Sequence, residues 1–168
     1  MFEAKPAIAV LGPAAQKDGA GAEDLEALAA RIGKAAVDAG YGIITLGASP
    51  VSEAAARGAA GGRILAVTTE DDADGGERSP APGGTHERRR TVLSGFEYVL
   101  DHADALILLP GADVPTLAFV MLVWAYGHTP AAPFRPIICL GPGWREAIAS
   151  LADVVGLDRR ARAMVTFA

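Results

Sequence analysis

Apolar residues fall along the chain in two alternating kinds of run. Short runs that are apolar nearly throughout occur at 7–11 (AIAVL), 41–46 (YGIITL), 63–68 (RILAVT), 105–109 (ALILL) and 136–140 (PIICL). Between them lie longer stretches with apolar residues three or four apart. In 23–39, Leu25, Leu28, Ile32 and Ala36 share one helical face, and Gly40 follows as a C-cap. The pattern predicts further helices at 50–60, 86–101, 116–126 and 144–151, with Val92, Phe96 and Val99 a turn or two apart in the second of these. The short apolar end at 164–167 is a candidate sixth strand.

Strands apolar from end to end, each followed by a helix, predict a parallel sheet covered on both faces. With right-handed crossovers this is a three-layer, doubly wound, Rossmann-like α/β fold. No repeat or boundary divides the chain, so 1–168 is expected to be one domain. Ligands in such sheets bind beyond the carboxyl ends of the strands. Here those ends fall at 12–15, 47–52, 68–72 and 110–116.

Composition narrows the options. With 168 residues, 51% of them hydrophobic and 21% charged, the chain buries a sizeable core and is not disordered as a whole. A net charge of −5 and a pI near 5.1 argue against a broad nucleic-acid-binding surface. The single cysteine, Cys139, can make neither an intramolecular disulfide nor a thiolate metal cluster, and its apolar neighbours predict a buried hydrophobe. The start of the chain lacks the basic region and long apolar stretch of a signal peptide. The apolar stretch 105–126 is interrupted by Pro110, Gly111, Asp113 and Pro115, which predicts strand, turn and helix rather than a membrane span. A cytoplasmic protein with no membrane partner is expected. Residues 69–84 are acidic and rich in Gly and Pro, as in a long loop.

The strand ends carry the candidate chemistry. Gly12 opens Gly12-Pro13-Ala14-Ala15, which is not a GxGxxG fingerprint. Gly47-Ala48-Ser49-Pro50 is a glycine turn before a helix, which either offers N–H groups to a phosphate or simply turns the chain. At Thr85-His86-Glu87-Arg88-Arg89-Arg90, Thr85 can cap the predicted helix. Three arginines in a first helical turn oppose the helix dipole. They are placed either to grip a phosphate or carboxylate, or to pair with the acidic run 70–74. His86 is expected at the surface, and no metal-ligand pattern is present. In 110–116, Gly111 allows a sharp exit from the strand, Pro115 suits a first helical turn, and Thr116 with nearby N–H groups can hold a phosphate.

In this order the residues resemble the LONELY GUY (LOG) family, long labelled lysine decarboxylase-like. The resemblance runs along nearly the whole chain. The family's MHERK-like element corresponds to Thr85-His86-Glu87-Arg88-Arg89, and its aDafiaLPGG run to residues 103–111. Trp124, Gly127-His128 and Pro136 match a later tryptophan, a Gly-His pair and a Pro-led strand. The helix after the second strand, with Glu53-Ala54-Ala55 and Gly58-Ala59, fits as well. Members of the family are Rossmann-like dimers that release the base from cytokinin riboside or purine nucleoside 5′-monophosphates, and related members only bind nucleotides or molybdenum cofactor. The resemblance implies Arg88 as catalytic arginine, Glu87 as a ligand-contacting acid, Arg89 in the lysine position, and Gly111 and Thr116 in the phosphate loop.

The departures decide the function expected. PGGxGTxxE appears here as 110–119, with one extra residue, two glycines lost, and Phe119 where the catalytic glutamate belongs. Glycosidic cleavage passes through a cationic sugar and needs a carboxylate, which phenylalanine cannot supply. Pro115 also removes an N–H donor. The expectation is a divergent LOG-like protein with a degraded site, which binds a purine nucleotide or a nucleotide-type cofactor such as molybdenum cofactor without efficient hydrolysis. The alternative is an active phosphoribohydrolase with a relocated carboxylate, from Asp113, Glu87 or Glu53. Candidate catalytic residues are thus Arg88, Glu87 and Asp113; candidate ligand-binding residues are Gly12, Gly47, Ser49, Arg89, Gly111 and Thr116. No resident cofactor is implied. The helix at 116–126, apolar on every face, is expected to pack against a second copy in a homodimer.

Overall fold

The computed structural model describes residues 6–13, 20–70, 84–111, 113–127 and 133–168. The stretch 71–83, most of the acidic loop, lies outside these residues, as do Ala14, Ala15 and His128. Seven strands form one sheet: β1 (Ala7–Leu11), β2 (Gly42–Leu46), β3 (Ile64–Thr69), β4 (Thr85–Arg89), β5 (Ala105–Leu108), β6 (Ile137–Cys139) and β7 (Val165–Phe167). Their order is β4-β3-β2-β1-β5-β6-β7, and every neighbouring pair is parallel. The helices are α1 (Ala20–Asp38), α2 (Pro50–Gly58), α3 (Val92–His102), α4 (Val114–Gly127), α5 (Trp144–Val155) and α6 (Arg159–Ala163). The chain is a doubly wound α/β protein, as the apolar pattern predicts.

Side chains alternate across a strand, so β1, β2 and β3 each supply two cores. Val10, Ile43 and Ile64 join Leu25, Ala29 and Ala55 of α1 and α2 in one buried cluster. Ala9, Ile44 and Leu65 join Phe96, Phe119 and Trp124 of α3 and α4 in the other. The first layer is built largely from alanine and glycine. An added Cβ on Gly58 would lie 1.9 Å from the Ala30 carbonyl oxygen, and one on Gly33 would lie 2.1 Å from that of Ala55. The alanine excess of the sequence thus lets α1 and α2 approach backbone to backbone.

Two expectations are corrected. Residues 86–91 do not open a helix: Thr85–Arg89 is a strand, in register from Leu65↔Thr85 to Thr69↔Arg89. Being an edge strand, β4 does not need apolar residues on both faces, and its charges discourage pairing with another chain. The helix starts only at Val92, behind a capping box in which Thr91 Oγ1 accepts from the Ser94 N–H at 3.2 Å and Ser94 Oγ from the Thr91 N–H at 3.1 Å. Thr91, not Thr85, is therefore the cap, and the arginines do not oppose a helix dipole. Among the described residues the strands accordingly number seven rather than six, with Val165–Phe167 as the last.

Candidate functional site

The sheet order reverses between β1 and β5, the place where doubly wound sheets open a crevice at their carboxyl ends. A cavity of about 120 Å³ lies there. Its floor comes from Leu11, Leu46 and Thr69, the last residues of β1, β2 and β3, and from Gly12 and Gly47, which follow the first two. Val92 and Phe96 of α3 form one wall; Asp113, with Pro115, Thr116 and Phe119 of α4, forms the other. Phe96 and Phe119 pack with ring centroids 5.0 Å apart.

Local sequence explains the shape. Gly47 turns with φ 79°, a left-handed value that suits glycine, while its N–H donates to the Val67 carbonyl at 2.9 Å. Ser49 is buried and caps α2: its hydroxyl accepts from the Ser52 N–H at 3.1 Å and donates to Ser52 Oγ at 3.1 Å. Ser52 in turn donates to the Leu46 carbonyl, so both hydroxyls hold the turn. Asp113 precedes α4 and holds its first turn. Its Oδ1 accepts from the Thr116 N–H at 2.9 Å and from the Thr116 hydroxyl at 2.5 Å.

The structure brings Gly12, Gly47, Asp113 and Thr116 to the cavity lining. Gly111, with φ 84°, lines a separate depression of about 250 Å³ beside Pro142, Gly143 and Trp144. Glu87, Arg88 and Arg89 do not line the cavity. Arg89 stacks 3.9 Å over the Tyr98 ring of α3 and pairs with Glu87 at 3.3 Å, so both lie on the cavity's side of the sheet. By the alternation of the strand, Arg88 projects from the opposite side, with His86, whose Nε2 meets Thr68 Oγ1 at 2.7 Å. Glu53 lies 3.9 Å from Arg57 on α2 and is also outside the lining. The lining residues that the sequence does not single out are Leu11, Leu46, Thr69, Val92 and Phe96, and a strand-end position is a usable signal for the first three.

Cys139 is buried in β6, and loss of solvation pushes its thiol up from 9.0 to about 11. Among the described residues no three His, Cys, Asp or Glu side chains group as a metal site. No described helix is long and apolar enough to cross a membrane.

Fold and crevice together define a doubly wound α/β protein with a pocket at its switch point. No sequence profile of a protein family matches the chain, and no curated protein matches it. Solved structures do share its fold. The molybdenum cofactor carrier protein of Chlamydomonas reinhardtii is 24% identical, with TM-score 0.66 over 98% of this chain and 90% of that one. The molybdenum cofactor binding protein of the phototrophic bacterium Rippkaea orientalis is 21% identical, with TM-score 0.65 over 99% and 90%. The structural-genomics target TM1055 is 19% identical, with TM-score 0.69 over 97% and 91%. At these identities the likeness is one of fold.

Proposed function

We propose that the chain binds a purine nucleotide or a nucleotide-type cofactor at the crevice between β1 and β5 and does not hydrolyse it. The observation that carries this reading is Phe119. It is fully buried and lines the cavity, and it stands at the sequence position where the resemblance to the LOG family implies the catalytic glutamate that N-glycosidic cleavage needs. Asp113, the acid nearest in sequence, is tied to the first turn of α4 through Thr116. Aromatic and aliphatic walls with a few polar atoms are what a planar ring needs. The same walls fit the ring system of a molybdenum cofactor, which two proteins of this fold carry or bind by name. In that case Phe119 and Val92 would flank the ring and Thr116 would sit at its edge.

The test uses the full chain, purified without added ligand. Mass spectrometry of released small molecules and calorimetry with AMP and GMP should show binding, and prolonged incubation should release no free base. Base release that Asp113→Asn abolishes would instead establish the hydrolase alternative. A second part of the proposal concerns α4. Its outward side, Val114, Ala118, Met121, Leu122, Ala125 and Tyr126, is apolar and exposed or half-exposed. A second copy covering it would account for those residues.

A further inference from the structure

One glycine behind the cavity wall is there for spacing rather than for conformation. Gly95 is the fourth residue of α3 and is buried. Its backbone is ordinary right-handed helix, without the positive φ of Gly47 or Gly111. Alanine is the better helix former at such a position. The neighbouring sheet disfavours it. A Cβ added to Gly95 would lie 3.1 Å from Thr69 Cγ2 and 3.3 Å from Leu46 Cδ1. Carbon atoms in good contact stand about 3.5–4.0 Å apart.

The two contacts differ in stiffness. Leu46 Cδ1 is the free end of a flexible side chain. Thr69 Cγ2 hangs on a β-branched carbon whose χ1 is restricted, and Thr69 is buried at the end of β3. Both residues belong to the cavity floor, while Phe96, beside Gly95 in α3, and Val92, a turn earlier, form the wall. Gly95 thus stands where wall meets floor and sets how closely α3 sits on the ends of β2 and β3. An added methyl has two outlets, and both work against a bound ring. If α3 lifts, Val92 and Phe96 draw back from the ring, and a gap of about 0.5–1 Å forfeits roughly a quarter to a half of each dispersion contact. If α3 stays, the Thr69 and Leu46 side chains must turn, and the floor changes shape.

Resting on the nucleotide-type reading above, we propose that Gly95 is a positioning residue for the ligand's planar ring. Its missing side chain, seated on the Thr69 methyl, fixes the spacing between wall and floor at which the ring is gripped. Gly95 does not touch the ligand; it acts through Thr69, Val92 and Phe96.

Calorimetry with AMP and GMP on the full chain tests this, as a cycle of Gly95→Ala, Thr69→Ser and the double variant. Thr69→Ser removes the methyl that the new Cβ would meet and keeps the hydroxyl. Gly95→Ala alone should weaken nucleotide binding by about three- to tenfold. In the Thr69→Ser background the same change should cost less than about twofold. Urea midpoints of all four chains separate this role from a structural one. A glycine needed only for stability would move the midpoint and leave the affinity of the folded chain unchanged, which would overturn the proposal. Equal losses of affinity with and without the Thr69 methyl would overturn it too. Should Gly95→Ala alone not fold, the double variant must fold and bind as Thr69→Ser does, and its failure to do so counts against the proposal. Nucleotide binding that Gly95→Ala leaves intact removes the proposal and keeps the reading on which it rests. Absence of AMP and GMP binding in the unaltered chain removes both.

Discussion

At the scale of single residues, Asp113 and Cys139 show two fates of an ionisable group. Asp113 serves a helix end that needs a hydrogen-bond acceptor, its Oδ1 accepting from the Thr116 N–H. Cys139 is held neutral inside β6, its thiol raised from 9.0 to about 11 by burial. The sign of the consequence follows from proton counting. Above pH 9 the unfolded chain loses the thiol proton while the folded chain keeps it, so deprotonation favours unfolding. This contribution to stability is fully present below about 9 and is lost as pH rises toward about 11. Urea denaturation across that window should show stability falling in the native chain, with a shallower fall in Cys139→Ala; equal slopes would remove the cysteine as the cause. Near neutral pH the same thiol should resist alkylation until the protein unfolds.

At the scale of elements, the closest packing is between α1 and α2. Ala30 and Gly58 leave no room for one more methyl group, since the added Cβ of Gly58→Ala would sit 1.9 Å from a backbone oxygen. Helix propensity alone favours alanine there, by about 1 kcal/mol. Overpacking opposes it and should win, with a net loss of roughly 1–3 kcal/mol measurable as a lower urea midpoint at constant m-value. An increase in stability would mean that the two helices can separate freely.

The same scale shows what the sequence makes legible. Five strands can be read from their apolar runs because central parallel strands are buried on both faces. β4 cannot, because THERR has one bonded neighbour and charged residues on an edge, and three arginines in a row resemble a helical surface. The glycine turns at 12 and 47 mark strand ends, so half of the cavity floor can be found in advance. Val92 and Phe96 reach the cavity only through the sheet order and the packing of α3, which no local pattern encodes. Similarly, a row of charges cannot reveal that Arg88 and Arg89 leave the sheet on opposite sides, until the residues are known to form a strand.

At the scale of the whole molecule, the exposed side of α4 sets the expected assembly. Val114 is 80% exposed and Tyr126 48%, and the residues between them on that side carry no charge. If a second copy covers this side, sedimentation at micromolar concentration should give a dimer. Ala118→Glu, at an exposed position, should shift it to monomer without loss of the folded state. A monomer from the native chain would show that the face stays in water or serves another partner.

The two buried layers also differ in a way that light can detect. The chain has two tryptophans, and both Trp124 and Trp144 belong to the cluster that contains Phe96 and Phe119. The alanine-rich layer under α1 and α2 has none. Intrinsic indole emission is therefore a one-sided gauge. It registers events in the half of the protein that holds the crevice, and is silent about rearrangements confined to the other half.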